Sequence, residues 1–182
     1  MPTTYKIVFA GPVGAGKTTA IQSLSDIEVV STEASASEDN VRTLKSNTTV
    51  AMDYGLMRLD SGDQVRLYGT PGQKRFDFMW DILSENALGL VLLVRANAPD
   101  PIADLRMYVE DFRGLIDKTA LVVGVTHYEE GGIHVRRAVS RELLRMGLPP
   151  TALDTDARSR AHMATLVKML IYSIDPFNGT AA

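Results

Sequence analysis

The sequence contains no cysteine, and no run of apolar residues in it approaches the length of a membrane span. The absence of cysteine excludes a disulfide framework and any metal site built from thiolates, which agrees with a reducing compartment such as the cytoplasm. A membrane-spanning helix needs roughly 20 consecutive apolar residues, and the first residues lack the pattern of a secretory signal. We therefore expect a soluble cytoplasmic chain with no integral membrane segment.

An excess of positive charge is also missing. The 19 lysines and arginines are outnumbered by 22 aspartates and glutamates, and the formal net charge is -3. Because proteins whose main partner is nucleic acid usually carry a strongly basic balance, we predict no nucleic-acid partner. One row of arginines, Arg137, Arg141 and Arg145 with Arg136 beside it, is typical of a solvated helix face. Contact with an acidic partner, or peripheral association with a membrane surface, is the alternative interpretation of this row.

Short apolar runs alternate with helical patterns along the chain. The runs Tyr5–Ala10, Leu88–Val94 and Ala120–Val125 predict strands that are buried on both faces, as in a parallel sheet covered by helices. Apolar residues with helical spacing from Ile102 to Ile116, and again from Met163 to Ile174, predict helices that pack on this sheet. We therefore predict a three-layer α/β domain with a mostly parallel sheet of about six strands flanked by helices.

Residues 25–68 show neither a long apolar run nor a helical period. Leu56–Asp60 and Val65–Tyr68, separated by a Ser-Gly-Asp turn, predict a β-hairpin. The polar stretch Ser25–Thr49 has no period and predicts a long loop, which in a compact domain is usually functional or mobile. A length of 182 residues suits one domain. We place this domain at residues 1–176 and a flexible C-terminal tail at 177–182.

A glycine-rich segment, AGPVGAGKTTAI, lies directly after the first predicted strand. It contains the pattern GxxxxGKT over Gly11–Thr18, hereafter the phosphate loop, in which backbone N–H groups curl around phosphates at the start of a helix. Lys17 is predicted to reach the β- and γ-phosphates, and the Thr18 hydroxyl is predicted to bind Mg²⁺. The other nucleotide contacts predicted in this segment are Gly11, Val13, Gly14, Ala15, Gly16 and Thr19. Kinases, motors, transporters and switches all use such a loop, so the loop alone does not distinguish among them.

A second motif, LYGTPGQKRF at Leu67–Phe76, resembles the phosphate-sensing DTAGQ segment of the Ras-like small GTPases. The resemblance implies that Gly72 donates its N–H to the γ-phosphate and that Gln73 orients the attacking water. Gly69 departs from the family, which has at this position an aspartate that holds Mg²⁺ through water. Pro71 replaces the usual alanine. Without the resemblance, the segment would be interpreted as an ordinary Pro-Gly turn.

A third motif, TTVAMDYG at Thr48–Gly55, resembles the segment in which a threonine of these GTPases closes on Mg²⁺ and the γ-phosphate. The resemblance places Thr49 in this role, with Thr48 as the near alternative. A threonine pair that enters a strand is also common on β-propensity alone. By this resemblance Lys17, Gln73 and Thr49 are the catalytic residues, and Thr18 and Thr49 are the metal ligands.

The base-recognition motif is less regular. Thr126-His127-Tyr128-Glu129 follows the last apolar run, where the family has Asn or Thr, then Lys-x-Asp. The resemblance implies that His127 takes the place of the lysine that packs along the base, and that Glu129 takes the place of the aspartate that accepts from guanine. The Ala157 N–H would meet guanine O6, with Arg158 beside it. The alternative is that His127 and Glu129 are simply polar loop residues.

Taken together, the motifs resemble a prokaryotic branch of the Ras-like superfamily, similar to the gliding-motility GTPases and to predicted GTPases that work with roadblock-type partners. This resemblance implies a small bacterial GTPase that binds GTP and GDP with Mg²⁺, hydrolyses GTP slowly and acts as a two-state switch. It also implies a protein effector or activating partner, for which a roadblock-type protein is one candidate. The alternatives are a nucleotide-binding scaffold that has lost catalysis and a small ATP-dependent P-loop enzyme.

Overall fold

The computed structural model describes residues 2–31, 52–71, 78–131 and 133–174. Over these residues the strands are β1 Thr4–Ala10, β2 Val30–Ser31, β3 Asp53–Arg58, β4 Gln64–Gly69, β5 Gly89–Arg95, β6 Leu121–Thr126 and β7 Ala152–Asp154. The helices are α1 Lys17–Leu24, α2 Phe78–Ser84, α3 Pro101–Asp111, α4 Arg113–Ile116, α5 Tyr128–Gly131, α6 Ile133–Arg145 and α7 Arg160–Ile174. No helix in these ranges is long and apolar enough to cross a membrane.

The described strands form one sheet in the order β2-β3-β4-β1-β5-β6-β7. The pairs β4-β1, β1-β5, β5-β6 and β6-β7 are parallel, whereas β2-β3 and the hairpin β3-β4 are antiparallel. The predicted α/β class with a mostly parallel sheet is therefore confirmed. Because β1, β5, β6 and β7 are parallel, their carboxyl ends meet at one edge of the sheet, which is where ligands bind in open α/β sheets.

Three local features differ from the sequence prediction. The described residues form seven strands where about six were predicted, since β2 and β7 are only two and three residues long. β2 lies inside Ser25–Thr49, which was predicted as a loop; most of that stretch lies outside the described residues. The helical pattern from Ile102 to Ile116 is divided at Phe112, whose φ of -97° and ψ of 11° end α3. The domain limits of 1–176 and the tail at 177–182 stay predictions, because residues 175–182 are not described.

Helices cover both faces of the sheet. On one face, α1 and α7 pack over Ile7 and the other inward side chains of that face. On the opposite face, α2, α3 and α6 pack over Val8 and its neighbours. Trp80 of α2 is 3% exposed there, and its ring centroid lies 5.0 Å from that of Phe112 and 5.3 Å from that of Tyr108. Because aromatic pairs stabilise a fold beyond the area that they bury, these contacts of Trp80 help to hold α2 against the core.

The arginine row lies on α6, as predicted for a helix face, and its members have different environments. Arg136 donates at 3.0 Å to the carboxylate that ends β7, and Arg145 donates at 3.1 Å to Glu142. Arg137 and Arg141 are exposed. Two of the four cations therefore pair with carboxylates of the fold, although the Arg145 side chain is itself 72% exposed, and the other two face solvent.

Candidate nucleotide-binding site

The phosphate loop joins the end of β1 to the start of α1, at the carboxyl edge of the parallel strands. Its shape requires glycine at two positions. A Cβ at Gly11, whose φ is +143°, would lie 2.2 Å from the carbonyl oxygen of Leu93 in β5. Gly16 precedes α1 with a left-handed φ of 99°, and a Cβ there would lie 2.9 Å from that of Ala157. The loop is therefore held between β5 and the segment that follows β7.

Lys17 is the first residue of α1, and its side chain turns back over the phosphate loop. Its ammonium group donates to the carbonyl oxygens of Gly11 at 2.6 Å and of Pro12 at 2.9 Å. Burial lowers the pKa of the Lys17 amine to about 8, and the carboxylate of Asp53 partly offsets this effect. Because burial disfavours the charged amine, an anionic phosphate beside it would stabilise that charge. This position suits a cation that binds phosphate.

A carboxylate from the third motif, to which the sequence analysis gave no role, lies beside the start of α1. Asp53 begins β3, and its Oδ2 accepts a hydrogen bond from the hydroxyl of Thr18 at 2.5 Å. Its Oδ1 accepts a hydrogen bond from the hydroxyl of Ser31 in β2. In the antiparallel pair of β3 and β4, Asp53 lies directly opposite Gly69. Thr18, the predicted Mg²⁺ ligand, therefore has an acidic partner on β3, whereas the Ras-like pattern has its aspartate at the position of Gly69 on β4.

The end of β6 and the loop after it contact the phosphate loop at two points. The hydroxyl of Thr126, a residue only 3% exposed, donates to the carbonyl oxygen of Ala15 at 2.8 Å. His127 has a left-handed φ of 54°, and its Nε2 lies 3.2 Å from the carbonyl oxygen of Gly14. This contact is a hydrogen bond when Nε2 carries the ring proton. His127, which the sequence resemblance placed at the position of a lysine in the Ras-like GTPases, therefore contacts the phosphate loop.

The segment between β7 and α7 lies against the same loop. Arg158 donates to the carboxylate of Asp156 at 2.8 Å, and this hydrogen bond is the main reason that the pKa of Asp156 falls to about 2. Ala157 is buried against Gly16. Asp156 also raises the pKa of the Arg158 guanidinium, and the exposed carboxylate of Glu129 adds a smaller contribution. Glu129 and Arg158 are therefore within electrostatic reach of each other.

A further cation at this edge was missed by the sequence analysis. Arg95 ends β5, after six buried residues. Its Nη1 lies 3.2 Å from the position that a Cβ of Gly14 would take, and its Nε donates to the side-chain oxygen of Asn97 at 3.1 Å. A charged residue at the end of an otherwise apolar strand is the pattern that would have indicated it. Its guanidinium places a second positive charge beside the phosphate loop.

The predicted site residues fall into two groups. Thr49, with its alternative Thr48, and Gly72 and Gln73 lie outside the described residues. The remainder of the predicted set lies on the phosphate loop, on α1 or in the two segments that contact the loop: Gly11, Val13, Gly14, Ala15, Gly16, Lys17, Thr18, Thr19, Thr126, His127, Glu129, Ala157 and Arg158. Within this second group, Val13 is 60% exposed at the loop surface and Thr19 is half-buried in α1.

Several known proteins are similar to nearly the whole chain. The Intraflagellar transport protein 22 homologs of Rattus norvegicus and Mus musculus are each 25% identical over 174 residues, which cover 93% of this chain and 91% of theirs. The crystal structure of the bacterial selenocysteine-specific elongation factor EF-Sec is similar with a TM-score of 0.65 and 18% identity. That match covers 98% of this chain and 30% of the elongation factor's chain, and at this identity it shows the fold alone.

A family model matches residues 9–105, more than half of the 182 residues, and this range extends from the end of β1 into α3. It contains the phosphate loop, Asp53 and Arg95. The model is described as "Conserved hypothetical ATP binding protein". The chain therefore belongs to this family and is a P-loop nucleotide-binding protein.

Proposed function

We propose that the protein is a small GTP-binding protein of the Ras-like type, which binds GTP and GDP with Mg²⁺, hydrolyses GTP slowly and acts as a two-state switch. The observation that carries this proposal is the contact of two segments with the phosphate loop. His127 contacts Gly14, and Ala157 is packed against Gly16. The segments that would read a base are thereby fixed beside the segment that would hold phosphates.

The proposed preference for guanine rests on Glu129. A carboxylate accepts hydrogen bonds from both N1–H and the N2 amino group of guanine, whereas adenine offers it one donor and an unprotonated N1. An unpaired polar group that becomes buried costs about 1–3 kcal/mol. We therefore expect a preference for guanine nucleotides on the order of tenfold or more, since about 1.4 kcal/mol, within this range, corresponds to tenfold. The Ala157 N–H, in this proposal, donates to guanine O6.

The phosphate chemistry is assigned to oxygen and nitrogen groups around the start of α1. Among the described residues, no group of three or more His, Cys, Asp or Glu side chains is placed to hold a metal ion. The hydroxyl of Thr18, which donates to the carboxylate of Asp53, is a hard oxygen donor of the kind that fits Mg²⁺, and the ion would take its other ligands from phosphates and water. When bound, the ion neutralises charge that develops on the phosphates. Lys17 and the backbone N–H groups of the loop bind and orient those phosphates.

Slow hydrolysis is proposed because positioning and charge stabilisation carry most of phosphoryl transfer to water. We assign to Gln73 the orientation of the attacking water, and to Thr49 the contact with Mg²⁺ and the γ-phosphate. Ras itself, without an arginine supplied by a partner, turns over on the order of 10⁻⁴ to 10⁻³ per second, and we expect this protein to share that slow regime. The sequence resemblance supports three further parts of the proposal: an activating partner of the roadblock type, a place in the gliding-motility branch and a bacterial origin. A cytoplasmic location is also proposed, because the sequence has no cysteine.

Binding of ATP is the competing function, because the description of the family names ATP. A calorimetric titration of nucleotide-free protein with GDP, GTP, ADP and ATP, each with Mg²⁺, separates the two. We expect tighter binding of the guanine nucleotides, and we expect Glu129→Ala to remove that preference. Glu110→Ala, which deletes an exposed carboxylate on α3, is the matched control. Equal or tighter binding of the adenine nucleotides would reject the proposed function.

A further inference from the structure

We infer that Asp53 supplies the carboxylate for the Mg²⁺ ion at Thr18, in place of the aspartate that a Ras-like GTPase carries at the position of Gly69. This inference rests on the proposed use of Mg²⁺ with a nucleotide, but it does not depend on which base is bound. Asp53 acts as a positioning residue: its carboxylate accepts a hydrogen bond from the Thr18 hydroxyl and, with the ion bound, would accept one from a water on the ion.

The pairing of β3 with β4 explains why the carboxylate can come from either strand. Asp53 and Gly69 are directly opposed in the antiparallel ladder. A Cβ added at Gly69 would lie 3.2 Å from both the Cβ and the Oδ2 of Asp53. A side chain at position 69 would therefore compete with Asp53 for the same space. The glycine at 69 leaves this space to the carboxylate of the neighbouring strand.

The hydrogen bonds of Asp53 orient it toward α1. The hydroxyl of Thr18 donates to Oδ2 at 2.5 Å, and the hydroxyl of Ser31 donates to Oδ1. Because the Thr18 proton points to Asp53, the lone pairs of the Thr18 oxygen are available to a cation. A carboxylate that accepts a hydrogen bond from a metal ligand also makes that ligand more basic, as the outer-shell partners of metal ligands do. The hydrogen bond to Asp53 thus orients the Thr18 oxygen so that it can bind a metal ion.

A purely structural role for Asp53, as the hydrogen-bond partner of Thr18 and Ser31, is the alternative to this inference. An interpretation of Asp53 as a purely structural partner of Thr18 and Ser31 predicts a loss of stability on substitution, but no change in the requirement for Mg²⁺.

The test measures nucleotide release as a function of Mg²⁺. Parent protein and Asp53→Asn are loaded with a fluorescent GDP analogue, and the release rate is recorded from excess chelator to millimolar Mg²⁺. We expect Asp53→Asn to need about 10- to 100-fold more Mg²⁺ for half-maximal retention. Its release rate in chelator should equal that of the parent. Asp60→Asn, the same change on an exposed residue in the turn of the β3-β4 hairpin, should match the parent throughout.

A double variant, Asp53→Gly with Gly69→Asp, transfers the carboxylate to the other strand. The substitution at 53 removes the side chain that a Cβ at 69 would meet, and the other neighbour, at 2.9 Å, is the Cδ1 end of Ile21, which can turn away. We expect this variant to recover most of the Mg²⁺ affinity lost in Asp53→Asn. A double variant that retains nucleotide no better than Asp53→Asn would overturn the equivalence of the two positions.

The outcomes separate this inference from the proposed function. If adenine nucleotides bind better than guanine nucleotides, the proposed function fails, and the same Mg²⁺ titration with a fluorescent ADP analogue still tests Asp53. If Asp53→Asn and the parent need the same Mg²⁺ concentration, the inference is overturned whatever the base preference. If retention by the parent does not depend on Mg²⁺, the inference and the metal part of the proposed function are both wrong.

Discussion

Replacing Gly11 by alanine should destabilise the protein in two ways, through backbone strain and through a steric clash, and comparison with a control glycine should separate the two contributions. The first cost is the backbone conformation, since φ is +143°, and such conformations cost about 1–3 kcal/mol for other residues. The second is steric, because the new Cβ would lie 2.2 Å from the carbonyl oxygen of Leu93. Backbone in a central strand cannot turn aside as a flexible side chain can, and overpacking costs typically about 1–3 kcal/mol. We expect Gly11→Ala to lower the free energy of unfolding by about 2–6 kcal/mol.

Gly62→Ala is the matched control for the conformational cost. Gly62 has a φ of +89° in the turn of the hairpin, and a Cβ there would have no heavy atom within 4 Å. We therefore expect it to lose only about 1–2 kcal/mol. Both values come from denaturant unfolding of the nucleotide-free protein, with equal slopes taken as evidence that the unfolded states are comparable. Nucleotide affinity should fall in Gly11→Ala and stay unchanged in Gly62→Ala. Equal losses of stability in the two variants would refute the argument that β5 confines the loop.

Three further predictions concern binding, pH and switching. Lys17→Ala should abolish tight nucleotide binding in a protein that still folds, since it removes the ammonium over the loop; calorimetric affinity equal to that of the parent would contradict this role. The hydrogen bond from Arg158 lowers the pKa of Asp156 from 3.8 to about 2, so its stabilisation is fully present above about pH 4 and is lost as the pH falls through 2. Asp156→Asn should remove that acid dependence and cost no more than about 1 kcal/mol at neutral pH, because the Arg158 side chain is 78% exposed; parallel unfolding curves for parent and variant between pH 4 and 2 would argue against it. Trp80 emission should differ between complexes with GDP and with a non-hydrolysable GTP analogue, and its change with GTP should decay more slowly in Gln73→Leu; identical emission in the two complexes would count against a switch that acts through α2.

The central strands β1, β5 and β6 were predictable because each is a run of apolar residues in the sequence. The apolar runs Leu88–Val94 and Ala120–Val125 agree with β5 and β6 to within one residue at each end. A strand covered by helices on both faces needs apolar side chains at every position. It therefore appears in the sequence as an apolar run that can be recognised without knowing which strands lie beside it. β2 gives no such pattern. Its two residues are defined only by their pairing with β3.

Asp53 was missed for a related physical reason. Its contact with Thr18 joins residues 35 positions apart, and it exists only because the register of β3 against β4 sets Asp53 opposite Gly69. A motif read along the chain shows the glycine where an aspartate is usual, but it does not show which side chain faces that glycine across the ladder. The positions in the base-reading segments came from the resemblance to a family. The residues alone left His127 open to interpretation as an ordinary polar loop residue.

The contact between Gly11 and Leu93 also determines when the phosphate loop can form. The loop lies next to β1 in the sequence, yet its shape is confined by a strand that begins only at Gly89. A growing or refolding chain in which β5 has not yet paired with β1 therefore lacks the confined loop, however complete its β3-β4 hairpin is. Pairing of distant parallel strands is a slow step in folding. Because a ligand stabilises only the state that binds it, nucleotide cannot assist the early stages and acts once the centre of the sheet has closed.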